Sequence, residues 1–229
     1  MAGYRQFCPV AKGAELFAER WTPLILRELI NGSTRFGEIR SGCPGIPHSL
    51  LAQRLRALER SGVVERRPLA RGFEYRLTRS GDELAGVVEA LGAWGYRWAI
   101  ADLSGDDLDP GALMWFWRIH LRNRGVPREP MVIEVDFTDV RRRFWLMARD
   151  GEVDLCLKPP GFENDVVVRG HTAVLVDIYL ARRTVVDAIG AGLVEVEGSR
   201  QTVRELPKWL HTTGFARYGQ PQSGESAPR

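Results

Sequence analysis

GIPHSLLAQRLRALERSGVVERRPLARGFEYRL, residues 45–77, decides the fold. At about 100° per residue, Leu51, Leu55 and Leu58 fall on one stripe of a helix. His48, Ser49, Ala52, Gln53 and Arg56 gather on another stripe, roughly 120° away. The leucine stripe needs a core; the other is small or hydrogen-bonding, unlike the Glu/Lys mixture of an ordinary solvated face. Pro47 suits the first helical turn, where a missing N–H costs nothing, and Ser61-Gly62 supplies the stop. VVERR (63–67) and GFEYRL (72–77) then read as two strands of a hairpin, with PLAR as the turn. Arg66, Arg67, Arg71 and Arg76 lie on or beside it, placed to reach phosphates. Gln53 and Arg56 are side chains matched to adenine and guanine edges in a major groove.

Upstream, RWTPLILRELINGS (20–33) repeats Trp21, Leu24, Ile25, Glu28 and Leu29 at helical spacing and stops at Asn31-Gly32. TRFGEIRSG (34–42) makes a shorter helix containing Phe36 and Ile39. Two helices, a recognition helix and a two-stranded wing form a DNA-reading order. The pieces CPV, RWTPLILREL, RFGEIR, PGI, LAQRLRALE, GVVER and YRLTRSG, in this order and spacing, resemble the HxlR-type family of winged helix-turn-helix regulators over residues 4 to about 100. That resemblance implies a homodimer on a pseudopalindromic operator in double-stranded DNA, with His48, Ser49, Gln53 and Arg56 directed at the duplex. Two features depart from the family pattern: Pro47 replaces a capping Ser or Thr, and the turn between the wing strands is short.

After Thr78, an N-cap, residues Leu84, Val87, Val88, Leu91, Trp94 and Trp98 recur at three- and four-residue intervals, which predicts one continuous helix. Gly81, Gly86, Gly92 and Gly95 along it leave room for close approach of another helix. The family resemblance implies pairing with the same helix of a second subunit, alongside residues 9–18; burial against its own domain is the alternative. Cys8 occupies the position of the cysteine that some relatives use to sense quinones and oxidants, with Arg5 or Lys12 near enough to lower a thiol pKa. A passive thiol is the other reading.

At 229 residues, 44% of them hydrophobic and 27% charged, the chain reads as two soluble globular domains. Neither a membrane-length apolar run nor an export signal is present, so a cytoplasmic location is expected. Net charge is +3, but residues 1–80 carry 14 Lys+Arg against 7 Asp+Glu, while the remainder carries 18 against 22. A basic half that binds polyanions, joined to a half with another task, fits this asymmetry. Three cysteines and four dispersed histidines match no disulfide framework and no zinc motif, so neither metal nor cofactor is expected.

In the second half, SGDDLDPG (104–111) reads as a linker ending in an Asp109 N-cap with Pro110 at the first helical position. The helix after it, LMWFWRIHLRNRG, is apolar nearly all round and must be buried on two sides. Strands are predicted at 131–137, 142–148, 151–158, 165–170 and 193–198, with antiparallel connections inferred from their close spacing. Helices are predicted at 172–180, at 184–190 and around Pro207, and a disordered tail from 214 to 229. RDGEVDL, DVVVRGHTAVLVDIYL, AIGAGLVEVEG and ELPKWL in this order resemble the sterol carrier protein type 2-like fold over about residues 110–210. The resemblance implies a five-stranded antiparallel sheet with helices around an apolar tunnel, and so a pocket for a small hydrophobic ligand. Met114, Trp115, Phe116, Ile119, Trp145, Met147, Tyr179 and Trp209 are the candidate lining residues.

The expected fold class is therefore α+β: a winged helix domain over 1–103, a sterol-carrier-like domain over 104–213, and a tail. No GxSxG, P-loop or Rossmann glycine pattern suggests an enzyme. The leading reading is a DNA-binding transcriptional regulator responsive to a hydrophobic ligand. The alternative is a carrier of hydrophobic molecules whose N-terminal module mainly dimerises.

Overall fold

The computed structural model describes residues 3–101, 103, 105–124 and 130–219. The chain divides into two compact units, Met1–Ala93 and Trp94–Arg229, so the division falls about ten residues before the expected boundary at 103/104.

The first unit begins with α1 (Pro9–Phe17), α2 (Thr22–Ile30), α3 (Phe36–Ser41) and α4 (His48–Arg60). The hairpin β1 (Val64–Pro68) and β2 (Phe73–Leu77) follows, then α5 (Arg79–Asp82) and α6 (Ala85–Trp94). Leu51, Leu55 and Leu58 of α4 are fully buried and meet Ile25, Leu26 and Leu29 of α2, Ile39 of α3, and Val63 and Val64 in one core. Burying a leucine side chain contributes about 2 kcal/mol, so this stripe fixes the rotation of α4 and with it the face turned outward. Pro47 is the residue before α4 rather than its first helical residue, with extended backbone (φ −62°, ψ 139°) and no side-chain cap. Gly62 (φ 73°) ends the helix, because the left-handed backbone that turns the chain into β1 favours glycine.

The hairpin runs antiparallel in the register Val64↔Leu77 to Pro68↔Phe73. The single helix predicted after Thr78 is broken. Thr78 does cap α5, its Oγ1 accepting from the Gly81 amide at 3.3 Å. At Leu84, however, the amide bonds three residues back to Gly81 rather than four, and α6 starts afresh. Leu84 and Val88 then reach the core, while Val87, Leu91 and Trp94 stay exposed. Gly95–Ala99 continues α6 as a π-helical turn.

The second unit contains α7 (Pro110–Arg124), β3 (Met131–Phe137), β4 (Arg142–Arg149), β5 (Glu152–Cys156), β6 (Val166–Gly170), α8 (Thr172–Tyr179), α9 (Val185–Gly190), β7 (Val194–Gly198) and α10 (Arg200–Trp209). Asp109 caps α7, its Oδ1 accepting from the amides of Gly111 (2.6 Å) and Ala112 (3.2 Å). The sheet has five strands in the order β5-β4-β3-β6-β7. It is mixed, not wholly antiparallel: β3 pairs with β4 antiparallel but with β6 parallel, Ile133 opposite Val166 and Phe137 opposite Gly170. The path between the parallel neighbours β3 and β6 takes in β4, β5 and residues 157–165, well over the roughly dozen residues such a connection needs. The short segment 157–165 joins β5 to β6, which are not neighbours, so close spacing mimicked a hairpin.

One face of the sheet carries Ile133, Val135, Phe137, Phe144, Leu146, Val153, Val166, Val168 and Val194. Leu113, Met114, Trp117 and Leu121 of α7, Leu175 and Ile178 of α8, Ala188 of α9 and Leu206 of α10 cover it. Residues Gly214–Tyr218, expected in the tail, form a 3-10 turn. The Arg97 side chain donates to the Tyr218 carbonyl at 3.2 Å. The rest of the expected tail, 220–229, and residue 104 of the linker lie outside the described residues.

Candidate nucleic-acid interface

His48, Ser49, Gln53 and Arg56 form the exposed face of α4, opposite its leucine stripe. The His48 ring lies 4.5 Å from that of Phe36, so the start of α4 is packed against α3. Arg54, on the flank of the same helix, has a structural task that its sequence position did not reveal. Its Nη2 lies 2.6 Å from Glu19 Oε2 and its Nε donates to the Arg20 carbonyl at 3.2 Å, tying α4 to the α1–α2 turn. Being mostly buried, that guanidinium is unavailable to a duplex.

A second brace lies beneath α3. Glu28 is wholly buried, its carboxylate accepting from Arg27 Nε (3.0 Å) and from the Ser33 hydroxyl (3.3 Å). Arg27 Nη2 also donates to the Gly42 carbonyl at 2.5 Å, so one ion pair holds the turn between α3 and α4. A methyl group at Gly42 would overlap the Glu28 carboxylate, hence the glycine. Cys43 is buried beside this group, and burial above all pushes its thiol up to about 12; Arg27 lowers and Glu28 raises it further. Such a thiol stays protonated and unreactive.

The wing is docked on α3. The Tyr75 amide donates to the Thr34 carbonyl at 2.8 Å, and Arg35 pairs with Glu74 as an isolated bridge. Arg35 Nη1 reaches the Arg71 carbonyl at 3.4 Å. The wing arginines differ in availability. Arg66 lies 3.6 Å from Glu59 and 4.3 Å over the Phe73 ring. Arg67 pairs with Glu65, and Arg76 with Glu74 at 3.0 Å. The Arg76 guanidinium holds the Glu74 carboxyl below the usual carboxylate range. Arg71, at the tip, has no carboxylate partner among the described residues and is exposed. Arg35 and Arg40, before and on α3, are also exposed, a placement that the core spacing of Phe36 and Ile39 does not signal.

Cys8 is half-buried at the residue before α1. The Lys12 ammonium, a candidate to activate it, is engaged by Glu15 at 3.0 Å.

The candidate ligand residues of the second unit do not converge. Met114 belongs to the helix-covered core, with Tyr179 and Trp209 packed on it, and Phe116 stacks on Tyr179 at 5.4 Å. Trp145 and Met147 alternate along β4 with the core residues Phe144, Leu146 and Ala148, and so project from the opposite face of the sheet. Trp115 and Ile119 are buried without joining that core cluster. No single cavity can therefore be lined by all eight.

A braced helix with a hydrogen-bonding outer face, beside a hairpin with an exposed arginine at its tip, defines a winged helix-turn-helix module. A profile of the HxlR-like helix-turn-helix family matches residues 16–102. The chain is 35% identical over 97 residues to the HTH-type transcriptional regulator YvaP of Bacillus subtilis, covering 41% of this chain and 90% of YvaP. It is 42% identical over 89 residues to the HTH-type regulator Rv3095 of Mycobacterium tuberculosis, covering 38% of this chain and 56% of that one. Quinone-bound YodB from Bacillus subtilis is a similar solved structure: 36% identity, 38% of this chain and 96% of that chain, TM-score 0.35. The chain belongs to the HxlR-like helix-turn-helix family, through its first unit.

Proposed function

We propose that the protein is a homodimeric transcriptional regulator that lays α4 in the major groove of a pseudopalindromic operator. In this reading Gln53 and Arg56 read base edges, His48 and Ser49 contact the duplex where α4 begins, and Arg66, Arg67 and Arg71 hold the flanking backbone. The observation that carries it is the outward face of α4: four polar side chains exposed in a row, on a helix whose rotation is fixed by three buried leucines. Of the wing arginines, Arg71 contributes most, since the others share their charge with carboxylates. Dimerisation is supported by apolar surface left outside the core. Neither α1 nor α6 has a buried residue, and Val10, Val87, Leu91 and Trp94 are all exposed.

The second unit serves in this proposal as the effector domain, in which a hydrophobic ligand biases the dimer between DNA-competent and incompetent arrangements. The apolar α7 supports this reading: Met114 lies in the core against which Tyr179 and Trp209 pack, and Phe116 stacks on Tyr179, an apolar cluster that a hydrophobic ligand would have to open. The test is fluorescence anisotropy of the full chain on duplex DNA across a salt series. Binding that weakens steeply with salt, by several charges' worth of counterion release, is expected. A chain that shows no attraction to any duplex at low ionic strength is not such a regulator.

A further inference from the structure

The second face of the five-stranded sheet is divided. At one end the 157–165 crossover reaches it, Asn164 Nδ2 donating to Glu134 Oε2 at 2.6 Å and the Asp165 carboxylate accepting from the Val132 amide at 2.7 Å. Val132, Glu134 and Trp145 are buried there. At the other end a cleft of about 400 Å3 is lined by Asp136, Thr138, Arg141 and Arg143. Asp136 is on β3, Arg143 opposite it on β4, and Thr138 and Arg141 on the turn that joins the strands.

The charges around this cleft are unequally committed. Glu134 is shared between Asn164 and Arg143, the latter at 3.4 Å. Asp136 faces Arg169 Nε at 3.9 Å, and Arg169 in turn grips Glu197 through two hydrogen bonds of 2.5 and 3.3 Å. Arg141 has no carboxylate partner among the described residues and is exposed. The lining thus holds two guanidinium groups, one carboxylate and Thr138; Arg143 is shared with Glu134 and Asp136 has only part of Arg169, which leaves Arg141 as the uncommitted charge among the described residues.

We propose that this cleft is an anion site that takes the phosphate or carboxylate group of a small molecule. Arg141 and Arg143 would bind its oxygens as forked donors, the geometry in which guanidinium groups hold oxyanions best. Asp136 on the lining limits the charge the site tolerates.

Isothermal titration calorimetry of the full chain with inorganic phosphate, and separately with acetate, tests the site and tells the two sources apart. Saturable millimolar binding of either anion is expected, weakened about tenfold in Arg141→Asn and Arg143→Gln. Asparagine tolerates the left-handed backbone of Arg141 (φ 51°), so the turn is kept. Asp136→Asn, which removes the repelling charge, is expected to tighten phosphate binding severalfold, an effect that a misfolded variant would not show. Absence of saturable binding of both anions, or binding indifferent to both arginine substitutions, overturns the proposal. DNA binding by α4 is untouched by either result.

Discussion

At the scale of single residues, two positions near the base of α4 carry consequences that burial makes calculable. Gly42→Ala forces a methyl group into the Glu28 carboxylate, which is itself fixed by Arg27 and Ser33. Overpacking of this kind costs about 2 kcal/mol, to be read as a lowered urea midpoint at unchanged m-value. Cys43 links stability to pH. Its folded pKa is raised from an ordinary value near 9 to about 12, so the folded protein holds a proton that the unfolded chain releases. That contribution is complete below pH 9 and is lost as pH rises towards 12, with a slope of at most about 1.4 kcal/mol per pH unit. Cys43→Ala should flatten the alkaline limb of a stability profile measured by denaturant titration. Arg54 shows what residue-level reading misses. Its position on α4 suggested nothing beyond surface charge, and only the approach of Glu19 and the Arg20 carbonyl turns it into a brace.

At the scale of elements, α4 and the wing were legible because a period of 3.6 followed by a period of 2 is what a buried stripe and a pleated hairpin require. The α5–α6 break was not legible, since the apolar spacing from Leu84 to Trp98 runs straight through it. It is imposed by packing. Gly81 lies so close to the Val63 carbonyl that a side chain there would overlap it, and Thr78 caps a helix of only four residues. The functional division of labour between α4 and the wing predicts distinct variants. Gln53→Ala and Arg56→Ala should each reduce discrimination between operator and unrelated duplex by about 1–3 kcal/mol, measured by competition anisotropy. Arg71→Ala should weaken all duplexes alike and lower the salt slope by about one charge. Arg67→Ala should change the slope less, because Glu65 already shares that charge.

At the scale of the molecule, the chain joins a basic module to a mixed sheet of different charge balance, as the uneven distribution of Lys and Arg suggested. The apolar residues left exposed on α1 and α6 put the assembly state within reach of two substitutions. Leu91→Ser with Trp94→Ser should shift the protein to monomer in sedimentation velocity and, through loss of paired half-sites, weaken operator binding by at least tenfold. An unchanged sedimentation coefficient with unchanged affinity would remove α6 from the interface.

What the amino-acid order determined unaided is local: which residues alternate or recur, where Asn31-Gly32 and Ser61-Gly62 stop a helix, which side of α4 needs a core. These follow from short-range geometry, in which each residue's direction depends on its neighbours in the chain. Tertiary structure alone decided the parallel partner of β3, the separation of Trp145 and Met147 from Met114 and Tyr179, and the pairing that leaves Arg71 and Arg141 without carboxylates among the described residues. Each depends on which distant segments become neighbours, and no spacing along the chain encodes that.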